Sequence, residues 1–234
     1  MINIALMSAN EREDGGRGEA TRRRLIDAAV RVFGENGYHA VGTRELAEAA
    51  GANQAAIQYY FGGKDGLHKA AAVEVAAAGR VAFAPLLARL ETARPDSLAR
   101  EAQAELTRAV FSGLTRGLLG PLDEAFRAEF IVREQLRPGP AFDILYDGYL
   151  RAVHEAVTSL VAAARGLGFR TARAAIEAHA LIGTALAFLV ARPTLCRRLD
   201  WDGYSARRVS DIEAAVVGLA LRALGLPEAS EARS

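Results

Sequence analysis

Cysteine is almost missing from this chain. Cys196 stands alone, which excludes an internal disulfide and a cysteine-based zinc cluster and fits a reducing compartment. No stretch of about 18 uninterrupted apolar residues occurs, so no membrane span is expected. The first six residues are mildly apolar but too short for a secretory core, and Glu11, Glu13 and Asp14 follow them. The expected location is the cytoplasm. An excess of one charge is also lacking, with Lys+Arg 29 against Asp+Glu 28. That balance neither demands nor forbids a nucleic-acid partner, because a basic surface can be local. Lysine is confined to Lys64 and Lys69.

Catalytic signatures are absent too. His154-Glu155 opens like a zinc-protease helix, but Thr158 stands where the second histidine is needed. The four histidines, His39, His68, His154 and His179, lack metal-ligand spacing. There is no GxxxxGK[ST] loop and no GxSxG elbow. No enzyme activity, cofactor or metal is expected. Cys196 beside Arg197 and Arg198 is open to two readings, a redox-sensing thiol or an incidental residue.

What is present points to helices. The chain is 51% hydrophobic and 24% charged, rich in Ala, Leu and Arg and poor in β-branched runs, which favours an all-α fold. Residues 1–18 mix charges with Gly15, Gly16 and Gly18 and are expected to form a flexible arm. A helical period begins at Glu19, carries Leu25, Ala29, Val32 and Phe33, and ends at Asn36-Gly37. Beyond a first domain at 19–65, helices are predicted at 64–78, 80–91, 96–119, 123–136, 140–165, 171–191 and 205–224. These make a second domain at 66–226 with a tail at 227–234. Arg94-Pro95, Gly120-Pro121, Pro138-Gly139-Pro140, Gly166-Leu167-Gly168 and Pro193 are the expected breaks.

Residues 43–61 carry the most chemistry. Thr43 can cap a short helix bearing Leu46, Ala47 and Ala50, which Gly51 closes. Asn53 can cap a second, 54–60, with Ile57 and Phe61 turned inward, and Gly62-Gly63 ends it. Two short helices around a glycine-containing turn match a helix-turn-helix. Small or polar residues on the outer face of its second helix let the backbone enter a major groove. Gln54, Ala55 and Gln58 supply that face: Gln can pair with adenine, and a methyl can touch that of thymine. Thr43, Arg44, Tyr59, Tyr60 and Lys64 stand where phosphate donors are needed. Tyr59, Tyr60 and Phe61 span about 200° of helix, so they cannot share one core. Tyr59 is expected to be exposed.

The runs TRELAEAAG at 43–51 and IQYYFGGKDGL at 57–67 resemble the DNA-binding signature of the TetR family of bacterial repressors. Gln58 and Tyr60 depart from the usual Tyr and His of that pattern, and Asn53 replaces the usual Ser. Further on, EFIVREQL at 129–136 and HALIG at 179–183, with Trp201 after Arg197-Arg198, are similar to the CecR/CerR-type members of the family. The resemblance implies a homodimer on a pseudo-palindromic operator, most simply a repressor, released when its C-terminal domain binds a small molecule. The interface would be a four-helix contact drawn from residues such as His179, Ile182, Gly183, Leu186, Val216 and Leu219. Phe83, Phe111, Phe126, Phe130 and Arg133 are candidates for the effector pocket, although the same aromatics at helical spacing would equally build a core. Arg133-Glu134 can alternatively be a partly buried ion pair or a helix–helix contact. The rival to the regulator is a helical small-molecule-binding protein without specific DNA binding.

Overall fold

The computed structural model describes residues 2–120 and 125–228, with side chains from residue 17 onward except at 125. No strand occurs among the described residues, as the all-α reading requires. The helices are α1 (Ile2–Asn36), α2 (Thr43–Ala49), α3 (Gln54–Phe61), α4 (Lys64–Ala93), α5 (Arg100–Leu119), α6 (Ala125–Leu136) and α7 (Pro140–Leu145). A π-helical turn (Tyr146–Leu150) joins α7 to α8 (Arg151–Arg165), and α9 (Ala172–Val190), α10 (Arg192–Leu199) and α11 (Ala206–Leu224) follow.

Two compact units emerge. One comprises Met1–Ala77 with Phe126–Leu145, the other Ala78–Ala125 with Tyr146–Ser234. This differs from a division at 65/66, because α6 is fastened to the helices of the first unit. Gly34 makes that approach possible: a Cβ there would lie 2.3 Å from the Phe126 carbonyl oxygen. Arg133 then donates from Nε to the Gly34 carbonyl at 2.6 Å and from Nη2 to that of Glu35, satisfying acceptors left open at the end of α1. The core of this unit is formed by Leu25, Ala29 and Phe33 of α1, Leu46 of α2, Ile57 of α3, Leu67 and Val75 of α4, and Phe130 of α6. Arg23 adds a bidentate bond to Glu74, at 2.8 and 3.1 Å, and this pairing raises the arginine pKa.

In the second unit α5 packs on α11 and α9, and α8 packs on α9. Phe111, Val157, Val161, Ala178, Val216 and Ala220 are fully enclosed there. Arg100 donates to the carbonyls of Ala164 and Gly225, closing the ends of α8 and α11 together. Two arginines, Arg133 and Arg100, thus place a planar donor set against three helix C-termini, those of α1, α8 and α11.

Several boundaries differ from expectation. α1 starts at Ile2, so residues 2–18 are helical rather than an arm. The packed stretch from Leu25 nucleates a helix that propagates cheaply through Glu, Arg and Ala, good helix formers that offset the glycines. The helices predicted at 64–78 and 80–91 are one, since Gly79 is seated under the Tyr149 ring and does not break it. The segment predicted at 96–119 opens with a 3-10 turn, Pro95–Ser97, before α5. Pro193 lies in the first turn of α10, a helix missed because that position tolerates proline. The predicted start at Asp123 and tail residues 229–234 lie outside the described residues.

α4 and α9 are long and apolar enough, by length and composition, to cross a membrane, although neither is uninterrupted. Both supply side chains to the cores just described: Leu67, Ala71 and Val75 from α4, and Ala174, Ala178, Leu181 and Ala185 from α9. Only 22% of each apolar window is buried within the chain, so much of that apolar surface is left uncovered.

Candidate nucleic-acid interface

The short helices of the first unit are set by their ends. Gly37, at φ +81°, terminates α1, and the chain crosses through buried Val41 to Gly42. Gly42, not Thr43, occupies the N-cap of α2 and provides no side-chain cap. Thr43 is instead the first helical residue, and its hydroxyl accepts a 2.7 Å bond from Gln54 Nε2. One side chain thus links the starts of the two helices. Leu46 and Ala47 anchor α2, and Arg24 Nε donates to the Ala50 carbonyl at its C-terminus, 3.3 Å away.

Asn53 caps α3 as its residue type predicts, its side-chain oxygen accepting from the Ala55 N–H at 2.9 Å. Gly62, at φ +70°, closes the helix in the left-handed region. Ile57 alone is fully buried; Phe61, expected inside, is half-buried with the Arg22 guanidinium 5.7 Å from its ring centre. On so short a helix only one side can reach the core, and Ile57 and Leu46 already fill it. Gln54, Ala55, Gln58 and Tyr59 are exposed together and span about 140° of helix. Tyr59 is 82% exposed, as expected, and meets the half-buried Tyr60 edge-on at 4.8 Å.

The remaining candidate donors differ in readiness. Arg44 is exposed and, among the described residues, paired with Glu48 at 2.8 Å, an exposed ion pair of roughly 0–1 kcal/mol that opens at little cost. Lys64 is half-buried, its Nζ 4.2 Å from the centre of the Tyr38 ring. The Tyr38 hydroxyl donates to Asp65; that bond, helped by burial, raises the tyrosine pKa.

The aromatic candidates for an effector pocket do not gather in one unit. Phe126, Phe130 and Arg133 belong to the first; Phe83 and Phe111 belong to the second. Phe130 and Phe111 are wholly enclosed core residues, and Arg133 is committed to the end of α1. Phe83 is half-buried and stacks on Tyr149 at 6.4 Å, with Gly117 beside it. Burial pushes the Tyr149 hydroxyl well above the usual tyrosine range.

Of the interface candidates, His179 and Leu219 are exposed and Ile182, Gly183 and Leu186 half-exposed. Val216 is buried within its own unit and so is not available to a second chain. The His179 ring lies 5.6 Å from that of His154, whose pKa is lowered by burial and then by its histidine neighbour. Glu134, expected to reach another helix, meets His68. His68 was missed by sequence reading because a lone histidine in a helix's first turns carries no pattern.

Comparison with known proteins agrees with this geometry. Residues 25–71 match the family described as "Bacterial regulatory proteins, tetR family", and residues 102–225 match "HTH-type transcriptional dual regulator CecR, C-terminal domain". The HTH-type transcriptional dual regulator CecR of Shigella flexneri is 34% identical over 205 residues, covering 86% of this chain and 89% of that protein. The chain belongs to the TetR family. This TetR-family regulator also shares 48% identity over 46 residues with the HTH-type transcriptional regulator BetI of Brucella anthropi, 20% of this chain and 24% of BetI. Its fold matches that of AibR, crystallised with isovaleryl coenzyme A and operator DNA. There the TM-score is 0.56 at 19% identity, covering 85% of this chain and 97% of that one. α2 and α3 are therefore the helix-turn-helix of a TetR-family DNA-binding transcription regulator.

Proposed function

We propose that this TetR-family protein is a ligand-responsive repressor that binds a pseudo-palindromic operator as a homodimer. The observation that carries the reading is the outward face of α3, where Gln54, Ala55, Gln58 and Tyr59 stand exposed on a helix capped at both ends. Gln54 and Gln58 read base edges, with Ala55 against a thymine methyl. Thr43, Arg44, Asn53, Tyr59, Tyr60 and Lys64 hold the phosphates, Lys64 by leaving the Tyr38 ring.

The second unit supports the dimer. Ile176, His179, Ala180, Ala187 and Val190 are exposed along α9, as are Ala214, Ala215 and Leu219 along α11. α9 and α11 touch. Such a small-residue, apolar surface fits a twofold four-helix contact, and a Cβ at Gly183 would meet nothing within 4 Å. For the effector, Phe83 and Tyr149 are the wall we assign, beside a π-helical turn of the kind that recurs at functional sites. The relevant compartment is the cytoplasm.

The test is a gel shift and footprint on DNA upstream of the protein's own gene. Two protected half-sites about 34–36 Å apart are expected. Gln58→Ala should relax preference at particular base pairs by about 1–3 kcal/mol, whereas Tyr59→Phe should weaken all sequences alike. Absence of any specific band would favour the helical binding protein that has lost its operator.

A further inference from the structure

Two of the four histidines, far apart in sequence, meet where α8 packs on α9. The rings of His154 and His179 lie 5.6 Å apart, centre to centre, and are tilted by 34°. A tetrahedral zinc ion, with Zn–N bonds of about 2.0–2.1 Å, holds the centres of two imidazole ligands roughly 5 Å apart. The two rings therefore need only a small side-chain adjustment to share one cation.

Their nitrogens are available for it. Thr158 Oγ1 spends its proton on the His154 carbonyl, 2.8 Å away, so it offers a lone pair to His154 Nδ1 at 3.4 Å. That contact favours the tautomer with hydrogen on Nδ1 and leaves the Nε2 lone pair for a ligand. His179 is exposed, and neither of its nitrogens has a hydrogen-bond partner among the described residues. Burial of His154, and then the charge of His179, lower the His154 pKa and favour the neutral ring, the form that binds metals.

The charged groups flanking the pair along the two helices favour a cation. Arg151 is bound to Asp147, and Arg165 and Arg173 share Glu177 at 3.1 and 3.0 Å. Glu155 is exposed, has no ion pair among the described residues, and stands near enough to His154 to act on its charge. Neutral imidazoles suit zinc, copper or nickel, whereas magnesium and calcium call for oxygen ligands.

We infer that His154 and His179 form a binding site for a divalent transition-metal ion of the zinc type. No third histidine, cysteine or carboxylate completes a cluster with them among the described residues, so water fills the remaining positions, as in an open zinc site. The site is built within one chain, apart from the effector wall at Phe83 and Tyr149. His179 also stands on the α9 face assigned to the twofold contact, so a bound ion fixes α8 against a helix of that contact.

Titration of the full-length protein with zinc chloride, followed by calorimetry and amide NMR, tests this. One zinc per chain should shift residues 151–158 and 176–183, and magnesium chloride at the same concentration should shift neither group. His154→Gln and His179→Gln should each weaken zinc binding by about tenfold or more. His39→Gln, at an exposed histidine elsewhere, should leave those shifts and the affinity unchanged. Because His179 is exposed, His179→Gln keeps its fold and decides the matter even if the α8 variant does not. Zinc shifts confined to other residues, no binding at all, equal binding of magnesium, or an affinity unchanged in His179→Gln would overturn the inference.

Discussion

A glycine in the middle of a helix ordinarily invites replacement by alanine, which gains about 1 kcal/mol of helix propensity. Gly79 in α4 should behave in the opposite way. A Cβ built there lies 2.9 Å from Cγ and Cδ2 of Tyr149 and 3.0 Å from Cδ1. These atoms sit at the root of the ring, where rotation about the outer bond gives no relief, and Tyr149 is only 7% exposed. Its π-helical turn is tied to the same helix by a 3.2 Å bond from Arg80 Nη1 to the Gly148 carbonyl, which limits retreat. Overpacking of this kind costs about 1–3 kcal/mol. Set against the propensity gain, Gly79→Ala should destabilise the protein by up to about 2 kcal/mol. Urea unfolding followed by circular dichroism measures this directly, and each kcal/mol should lower Tm by about 2–4 °C. In a Tyr149→Leu background the clash is gone and Gly79→Ala should turn stabilising, a coupling of about 2 kcal/mol in a double-mutant cycle. A stabilised Gly79→Ala protein in the wild-type background would refute the packing argument, as would a cycle without coupling.

Asn53→Ala removes the cap of α3 and should cost about 1 kcal/mol of stability; thermal unfolding checks this, and operator affinity should fall uniformly across sequences because the whole helix frays. Ala180→Glu places charge on the exposed face of α9 and should yield monomers in sedimentation equilibrium while circular dichroism stays unchanged. His154 has a lowered pKa, so below about pH 6.5 the unfolded chain binds the proton first and stability falls with pH. Thermal unfolding between pH 5 and 8 should therefore show a smaller acid loss in His154→Gln than in the wild type.

The all-α class and the helix-turn-helix were legible along the chain because their determinants are local. Apolar spacing, the Asn53 cap and the glycines at 37, 51 and 62 act within a few residues of their own position. The exposure of Tyr59 followed from helical geometry alone. Local rules misled where a distant residue intervened. Thr43 has the chemistry of a cap, yet its hydroxyl serves Gln54 across the turn. Gly79 resembles a break until the ring of Tyr149 is placed beside it.

Chain order and residue type by themselves determined which segment forms the helix-turn-helix and that Tyr59 is exposed on it, since both depend on contacts spanning a turn or two. Only the tertiary structure decided that α6 joins the DNA-binding unit, that Arg133 serves the end of α1, and that Glu134 meets His68 rather than its neighbour. Val216 likewise looked as available as Leu219 until packing against α5 enclosed it. The physical reason is the same in each case. Burial and charge pairing join residues about 65 to 100 positions apart, and helical period records which face is apolar, not which partner covers it.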